Sequence, residues 1–238
     1  VRGESPMRRI MPYLMPSRNE SVVYNDSVYQ IEQTRAWLKA YNRTHTERAT
    51  LFPLLAYAAS QTMRARPALN RFVADNRIYR RRGVQVSFVV KKDLSDDGPS
   101  TTVKLAVAPG EPFSGYAVRL AAAIHEAQDT ERSVDKETGL IRMLPGPMVR
   151  GLVAFARLLD HWHLFPRFMT ENDPMFASVF LANPGSVGVS DVYHPLFEYG
   201  TVSVFGAVSA PARMPFVEGD AVVPRTGLRV RWSLDERI

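Results

Sequence analysis

Near the C-terminal end of the chain, apolar residues run almost without interruption from Asp173 to Leu181. A strand with one solvent-exposed face alternates apolar and polar residues, so this continuous run predicts a strand that is buried on both faces. A second strand is predicted from Thr201 to Val208, and a third, Leu228 to Leu234, alternates with Arg and Ser. The run at 173–181 constrains the fold most, because both of its faces must be covered.

The composition is that of a globular protein with a sizeable core. The 238 residues, 45% of them apolar and 23% charged, fit one large domain or at most two small ones. No stretch approaches the roughly 20 apolar residues of a transmembrane helix, and no signal peptide is visible. The chain has no cysteine, which excludes disulfides, thiolate nucleophiles and thiolate-bound zinc and fits a cytoplasmic protein.

The formal net charge of +6 favours anionic partners, although scattered arginines are equally typical of a solvated basic surface. The densest cluster is Arg80-Arg81-Arg82, which lies before Gly83 and between two predicted strands. A polar turn explains this cluster. The aromatic and basic pattern of a nucleic-acid-binding module is missing, so we expect no nucleic-acid partner.

The rest of the chain divides into an N-terminal arm, residues 1–20, and a single domain, residues 21–238. The predicted strands are 21–29, 77–79, 84–90 and 101–107, and the predicted helices are 31–41, 50–66, 114–129 and 145–162. We expect the apolar stripe of the last helix to pack on the sheet rather than on a membrane. Because the chain begins at Val1 and its last strand stops abruptly, we expect it to be a piece of a longer chain, incomplete at its C-terminal end.

Two segments, Phe176–Val208 and Leu228–Ile238, resemble the closing part of the catalytic domain of dihydrolipoyl acyltransferases, the cores of 2-oxoacid dehydrogenase complexes. Family members carry a strand that ends in Ser-Asn-x-Gly and a strand that leads to Asp-His-Arg-x-x-Asp-Gly. This chain has Ala182-Asn183-Pro184-Gly185 and Asp235-Glu236-Arg237-Ile238 at these places. Pro67–Asn70 also matches a Pro-x-Leu-Asn turn of the family.

The resemblance implies an α/β fold of the chloramphenicol acetyltransferase type, an α+β two-layer sandwich in which helices flank a mixed β-sheet. It implies a homotrimer with active-site channels between subunits, and a larger cage in some members. It also implies coenzyme A as the cofactor, no metal, and a lipoyl or acyl-carrier domain as a partner. The family's Gly-Leu-x-x-Pro segment, which lines the substrate channel, has no counterpart near residues 91–100.

The family reaction moves an acyl group between a dihydrolipoyl sulfur and coenzyme A, and it requires a base and an oxyanion donor. The alignment places Glu236 at the position of the basic histidine and Ala182 at the position of the serine that donates to the oxyanion. Glu236 serves as a base only if burial raises its pKa well above about 4.3. Ala182 has no side-chain donor, so the resemblance predicts altered or lost catalysis.

Four further residues belong to the predicted site by resemblance alone. Asp235 and Arg237 flank the base position, and Asn183 and Gly185 are assigned to cofactor binding. Turn geometry alone also explains Asn183 and Gly185.

The five histidines offer no clear replacement for the family's base: His45, His125, His161, His163 and His194. His161 and His163 form an H-x-H pattern, which has little specificity for a metal. His194 follows the Asn183–Gly185 turn, near the family's trimer contact, and a packing or loop hydrogen-bond role is expected for it.

Two functions of different classes remain open from the sequence. The first is an acyltransferase-family protein with an altered site, and a different acyl acceptor is a variant of this hypothesis. The second is a non-catalytic structural trimer or cage subunit that scaffolds partner proteins. Whether the chain is an enzyme is left open.

Overall fold

The structure, a computed structural model, describes residues 4–91, 100–129, 144–161, 167–189 and 191–238. Its helices are α1 (Pro6–Leu14), α2 (Glu32–Thr44), α3 (Leu51–Ala65), α4 (Phe113–Asp129), α5 (Gly146–His161) and α6 (Arg167–Asn172). Its strands are β1 (Val22–Gln30), β2 (Arg71–Ala74), β3 (Arg77–Arg80), β4 (Val84–Lys91), β5 (Ser100–Val107), β6 (Val179–Ala182), β7 (Val204–Val208), β8 (Ala212–Glu218) and β9 (Ala221–Asp235).

Seven strands form one mixed sheet in the order β1-β9-β7-β6-β4-β5, and β8 extends it by pairing with β9. β6 runs parallel to both β4 and β7, whereas the other pairs of this sheet are antiparallel. The mixed sheet flanked by helices confirms the predicted fold class.

One face of the sheet is covered by α3 and α4. Tyr116 and Leu120 of α4 are fully buried there, against Phe88 of β4 and Leu181 of β6. Val86, Val179 and Val204 belong to the same core. Among the described residues this is the largest cluster of buried apolar side chains, and its burial stabilises the fold.

The opposite face is covered by the chain between the end of β6 and β7. Phe180 and Phe205 stack on this face with ring centroids 5.2 Å apart, and Leu196 and Val202 pack against them. Because both faces of β6 are buried, the two-sided burial predicted for this strand is confirmed.

The strand boundaries of this region differ from the prediction. The strand expected at 173–181 begins only at Val179, because Pro174–Phe176 forms a 3₁₀ turn. Asp173 caps this turn by accepting a hydrogen bond from the N–H of Met175 at 2.8 Å. The apolar run therefore includes a capped turn as well as the strand. The hydrophobicity of the residues alone does not show where the turn ends and the strand begins.

Helix α5 does not follow the predicted packing. The stripe expected to be buried comprises Met148, Leu152, Phe155, Leu159 and Trp162. The first three are 57%, 49% and 57% exposed, Leu159 is half-buried, and Trp162 lies outside the described residues. The prediction that this stripe packs on the sheet is therefore wrong for the residues that the structure describes. Among the described residues, no helix combines the length and the apolar character that crossing a membrane requires.

Candidate functional site

The position of the family's serine lies at the C-terminal end of β6. Ala182 pairs with Ala207 of β7, which in turn pairs with Arg231 of β9. These three side chains therefore lie on the same face of the sheet. The side chain of Ala182 ends in a methyl group, so it provides no hydrogen bond to an oxyanion.

The turn after β6 is explained by its own packing. The carbonyl of Asn183 accepts hydrogen bonds from the N–H and the hydroxyl of Ser186, at 3.1 and 2.7 Å. A Cβ added to Gly185 would collide with the backbone of Ser209 and Ala210. Both residues therefore have local structural roles, and their part in cofactor binding stays a prediction.

At the end of β9, Asp235 and Arg237 form a buried, bidentate ion pair. Their side chains are 0% and 3% exposed, and Nη2 of Arg237 lies 2.8 Å from Oδ2 of Asp235. Nε of Arg237 donates to Oδ1 at the same distance, and the hydroxyl of Ser21 donates to Oδ1 at 3.0 Å. The guanidinium also donates to the carbonyls of Met15 and Pro16 at 2.9 and 3.1 Å. The pair therefore holds the N-terminal arm against the end of β9.

Glu236 lies between these two residues in the chain, but its side chain is exposed. Its backbone N–H donates to the carbonyl of Ser21 at 2.8 Å, which fixes the backbone at this position. The burial that a glutamate needs to act as a base is not supplied by the described residues of one chain.

The two aligned positions lie at opposite ends of the sheet. Ala182 is level with Arg231, whereas Glu236 comes five residues after Arg231, just beyond β9. With a rise of about 3.4 Å per residue and about 4.8 Å between strands, the two positions are roughly 20 Å apart. One chain therefore does not bring them to the same substrate atom.

A charged cluster that sequence reasoning missed lies close to the level of Ala182. Asp191 accepts a hydrogen bond from Arg229 at 2.9 Å and forms an ion pair with Arg231 at 2.9 Å. The hydrogen bond from Arg229, with the charges of both arginines, lowers the pKa of Asp191. Arg231 also lies 4.8 Å from the ring centroid of Tyr193. The alternation along β9 places both arginines on one face of the strand, where their side chains are 29% and 12% exposed, but no sequence signal identifies their partners.

An apolar cavity of about 590 Å³ lies between the sheet and helices α2 and α3. Its apolar walls include Ile31, Leu51, Leu55, Leu228, Trp232 and Leu234. Along β9 the cavity reaches Leu234, two residues before Glu236. Its size and apolar walls are typical of a site for a small organic ligand or a substrate arm.

A basic groove of about 450 Å³ lies at α2 and the start of α3. Its cations are Arg35, Lys39, Arg43 and Arg48, and its described lining contains no carboxylate. Leu51 lines both this groove and the apolar cavity. The two spaces therefore share a wall at Leu51, with cationic residues lining one space and apolar residues lining the other.

Comparison with solved structures decides the fold. The dihydrolipoamide acetyltransferase of Azotobacter vinelandii, whose structure addresses the catalytic roles of a serine, a histidine and an asparagine, matches with a TM-score of 0.61 and 18% identity. The match covers 99% of this chain and 83% of that chain. The chain has the chloramphenicol acetyltransferase-like fold.

Two further structures share this acetyltransferase-like fold. The cubic core of a pyruvate dehydrogenase multienzyme complex matches with a TM-score of 0.61 and 18% identity, over 99% of this chain and 83% of that chain. Chloramphenicol acetyltransferase matches with a TM-score of 0.53 and 9% identity, over 98% of this chain and 87% of that chain. No protein-family profile matches the sequence, and no curated protein sequence matches it.

Two of the described histidines, His45 and His194, have packing roles. The ring of His194 stacks on Phe205 at 4.2 Å, and its Nδ1 lies 2.6 Å from the carbonyl of Pro195. This confirms the packing and hydrogen-bond role expected for His194. His45 stacks on Tyr41 at 3.8 Å on the surface.

No metal site was found in the parts of the chain that the structure describes. Among those residues no group of three His, Asp or Glu side chains could hold a metal ion. The H-x-H pattern of residues 161–163 lies outside the side chains that are described, so its role stays a prediction.

Proposed function

We propose that this protein is an acyltransferase-type subunit that binds coenzyme A and moves an acyl group between a thioester and the coenzyme at an altered site. The observation that supports this proposal is that Leu51 lines both the basic groove and the apolar cavity, so the two spaces are neighbours. Coenzyme A supplies a reactive thiol on a long, slender arm, together with a nucleotide head that carries phosphates. Arg35, Lys39, Arg43 and Arg48 suit the phosphates by charge, and the cavity suits the arm.

The proposal includes a homotrimer, or a larger cage built from trimers. Ala182 and Glu236 lie roughly 20 Å apart in one chain, by the strand spacings given above. A site that uses both positions therefore takes one from each of two subunits. The cubic assembly of a structure with the same fold supports this arrangement, and a lipoyl or acyl-carrier domain is the proposed donor.

Catalysis at this site is expected to be slow. A thiol titrates near pH 8.5 and a glutamate near 4.3, so an unperturbed glutamate is about four pKa units too weak to remove the proton efficiently. Burial of Glu236 by a second subunit would reduce this difference. Ala182 provides no oxyanion donor, and the loss of one such donor costs on the order of 10²–10³ in rate.

The alternative is a non-catalytic scaffold with the same fold. Two observations favour it: the side chain of Glu236 is exposed, and α5 presents Met148, Leu152 and Phe155 to solvent. An exposed apolar stripe of this kind is typical of a protein–protein contact. In this alternative the assembly binds partners through α5 and does not bind coenzyme A.

The two functions are separated by calorimetric titration of coenzyme A into the assembled protein. We expect binding in the micromolar range that weakens at least about tenfold in Arg48→Gln, since a charge-assisted contact to phosphate is lost. Arg213→Gln, at an exposed arginine of β8 outside the groove, is the matched control and should bind like the wild type.

A third variant locates the thiol end of the ligand. Glu236→Gln should change acyl transfer more than it changes the affinity for coenzyme A, because the groove holds the phosphates elsewhere. If the intact oligomer binds no coenzyme A, the enzyme proposal fails and the scaffold remains. Equal weakening by Arg48→Gln and Arg213→Gln would reduce the binding to a general surface charge effect.

A further inference from the structure

A second basic pocket lies on the other side of the fold, at the start of β4 and the end of β5. Its volume is about 550 Å³. The polar residues that line it include Arg81, Arg82, Gln85, Lys104 and Thr201. It shares no lining residue with the groove at α2 and α3, so a ligand here is independent of coenzyme A.

Arg81 enters this pocket from the end of the β2–β3 ribbon. Its Nη2 donates to the carbonyl and the hydroxyl of Thr201 at 2.7 and 2.6 Å, and its Nη1 donates to the carbonyl of Phe176 at 3.3 Å. The guanidinium carbon lies 4.6 Å from the ring centroid of Phe72. The Nε atom is buried and has no hydrogen-bond partner among the described residues. The side chain is therefore fixed in place with one buried donor still unused.

Lys104 supplies the second cation. Its Nζ donates to the carbonyls of Thr170 and Asp173 at 2.9 and 3.1 Å, which leaves one of its three N–H donors available. Burial, followed by the charge of Arg81, lowers the pKa of Lys104 to about 8, although Asp173 and Glu171 oppose this shift. Two cations held near each other without a carboxylate bonded to either are costly unless an anion joins them.

We propose that this pocket binds a small, doubly charged oxyanion between Arg81 and Lys104, with Arg82 at its rim. A phosphate monoester and a short dicarboxylate both carry this chemistry. Arg81 and Lys104 donate hydrogen bonds to different oxygens of the ligand, and the anion neutralises the repulsion between the two cations. The exposed carboxylate of Glu171 at the edge of the pocket disfavours larger anions that extend past it.

The probe for this site is sulfate, because it stays doubly charged from pH 6 to 9. Any change of its affinity with pH is therefore caused by titration of the protein. Calorimetry of sulfate at low ionic strength should show one saturable site per chain. Lys104→Gln should weaken binding at least about tenfold, and Lys104→Arg should retain most of it. Arg80→Gln is the matched control, since Arg80 is an exposed neighbour of Arg81 that does not line the pocket.

Three results with sulfate would overturn the proposal. They are the absence of a saturable sulfate site, wild-type affinity in Lys104→Gln with a native circular dichroism spectrum, and equal weakening in Arg80→Gln. The affinity should also fall as the pH rises above about 8 in the wild type but not in Lys104→Arg. Titrations with methyl phosphate and malonate then identify the chemical class of the ligand, which is that of the tighter binder. If neither compound binds, the proposed site is rejected.

Discussion

Two clusters of buried and half-buried charge lie near the same end of the sheet, and they are built differently. At the end of β9, the carboxylate of Asp235 accepts two hydrogen bonds from the guanidinium of Arg237, and Nη1 of this guanidinium donates to the carbonyls of Met15 and Pro16. At the start of β4, Arg81 and Lys104 bond only to hydroxyl and carbonyl groups and keep unused donors.

The difference separates a structural role from a binding role. A buried charge that is neutralised by a bidentate partner contributes to the folded state and offers little to a ligand. A buried cation without a counterion raises the free energy of the folded state until an anion arrives. Asp235 and Arg237 therefore hold the backbone around Glu236, whereas Arg81 and Lys104 form a site.

The largest expected effect comes from breaking the neutralised pair. Asp235→Asn leaves the guanidinium of Arg237 buried without its counterion, and we expect the free energy of unfolding to fall by about 3–5 kcal/mol. Chemical denaturation followed by circular dichroism measures this loss. The double variant Asp235→Leu with Arg237→Met removes both charges and should lose less than the single variant.

The matched control for this loss is an exposed pair. Arg225 and Glu218 form an ion pair on β8 and β9 at 2.8 Å, with side chains 42% and 41% exposed. Arg225→Met should leave the unfolding free energy nearly unchanged, since solvent already screens both charges. If Arg225→Met lowers the free energy of unfolding as much as Asp235→Asn does, burial is not what makes the Asp235–Arg237 pair important for stability.

Next in size is the effect of restoring the family's two catalytic groups. If Asp235 and Arg237 still hold position 236 in the geometry of the acyltransferase fold, Glu236→His combined with Ala182→Ser should raise acyl transfer at least about 100-fold. A histidine titrates near neutral pH, and a serine hydroxyl contributes on the order of 10²–10³ as an oxyanion donor. Transfer from acetyl-coenzyme A to dihydrolipoamide measures the gain.

The control for this gain keeps the serine and omits the base. Glu236→Gln combined with Ala182→Ser should stay well below the histidine variant, because no group removes the proton from the thiol. Equal rates in the two double variants would show that position 236 does not face the reacting thiol. The scaffold alternative would then gain support.

Much of the fold was predictable from local patterns, because strand and helix signals depend on neighbouring residues. The alternation from Leu228 to Leu234 predicted the last strand, and the apolar run before Ala182 predicted a strand buried on both faces. The β2–β3 ribbon was only half predicted: 77–79 was expected as a strand, but Arg71–Ala74 was not. Its turn, at Asp75 and Asn76 with φ of 46° and 54°, has the left-handed geometry of a tight hairpin.

The candidate sites were less predictable, because they depend on contacts between distant parts of the chain. The family motif located Ala182 and Glu236 in the sequence, but not their separation at opposite ends of the sheet. Arg81 was assigned to a polar turn with its neighbours, and that interpretation was wrong. Arg80 and Arg82 are exposed, whereas Arg81 reaches Thr201, 120 residues away in the chain. Periodicity does not record such contacts.

The smallest effect expected is the pH dependence of stability that comes from Lys104. Its pKa is lowered to about 8 in the folded chain, by burial first and then by Arg81, whereas an unfolded lysine titrates near 10.4. Between these pH values the unfolded state binds more protons, so this residue makes the free energy of unfolding rise as the pH rises from about 8 to about 10.4. The difference in unfolding free energy between the wild type and Lys104→Met should therefore shift in favour of the wild type across this window and stay constant below pH 7.

Lys39→Met, at an exposed lysine, controls for the loss of a surface charge. If the difference in unfolding free energy between the wild type and Lys104→Met changes as little with pH as the difference for Lys39→Met, Lys104 is as well solvated as a surface lysine. Saturating sulfate should reduce the rise, because a bound anion favours the protonated amine, and that result would join the stability measurement to the binding site.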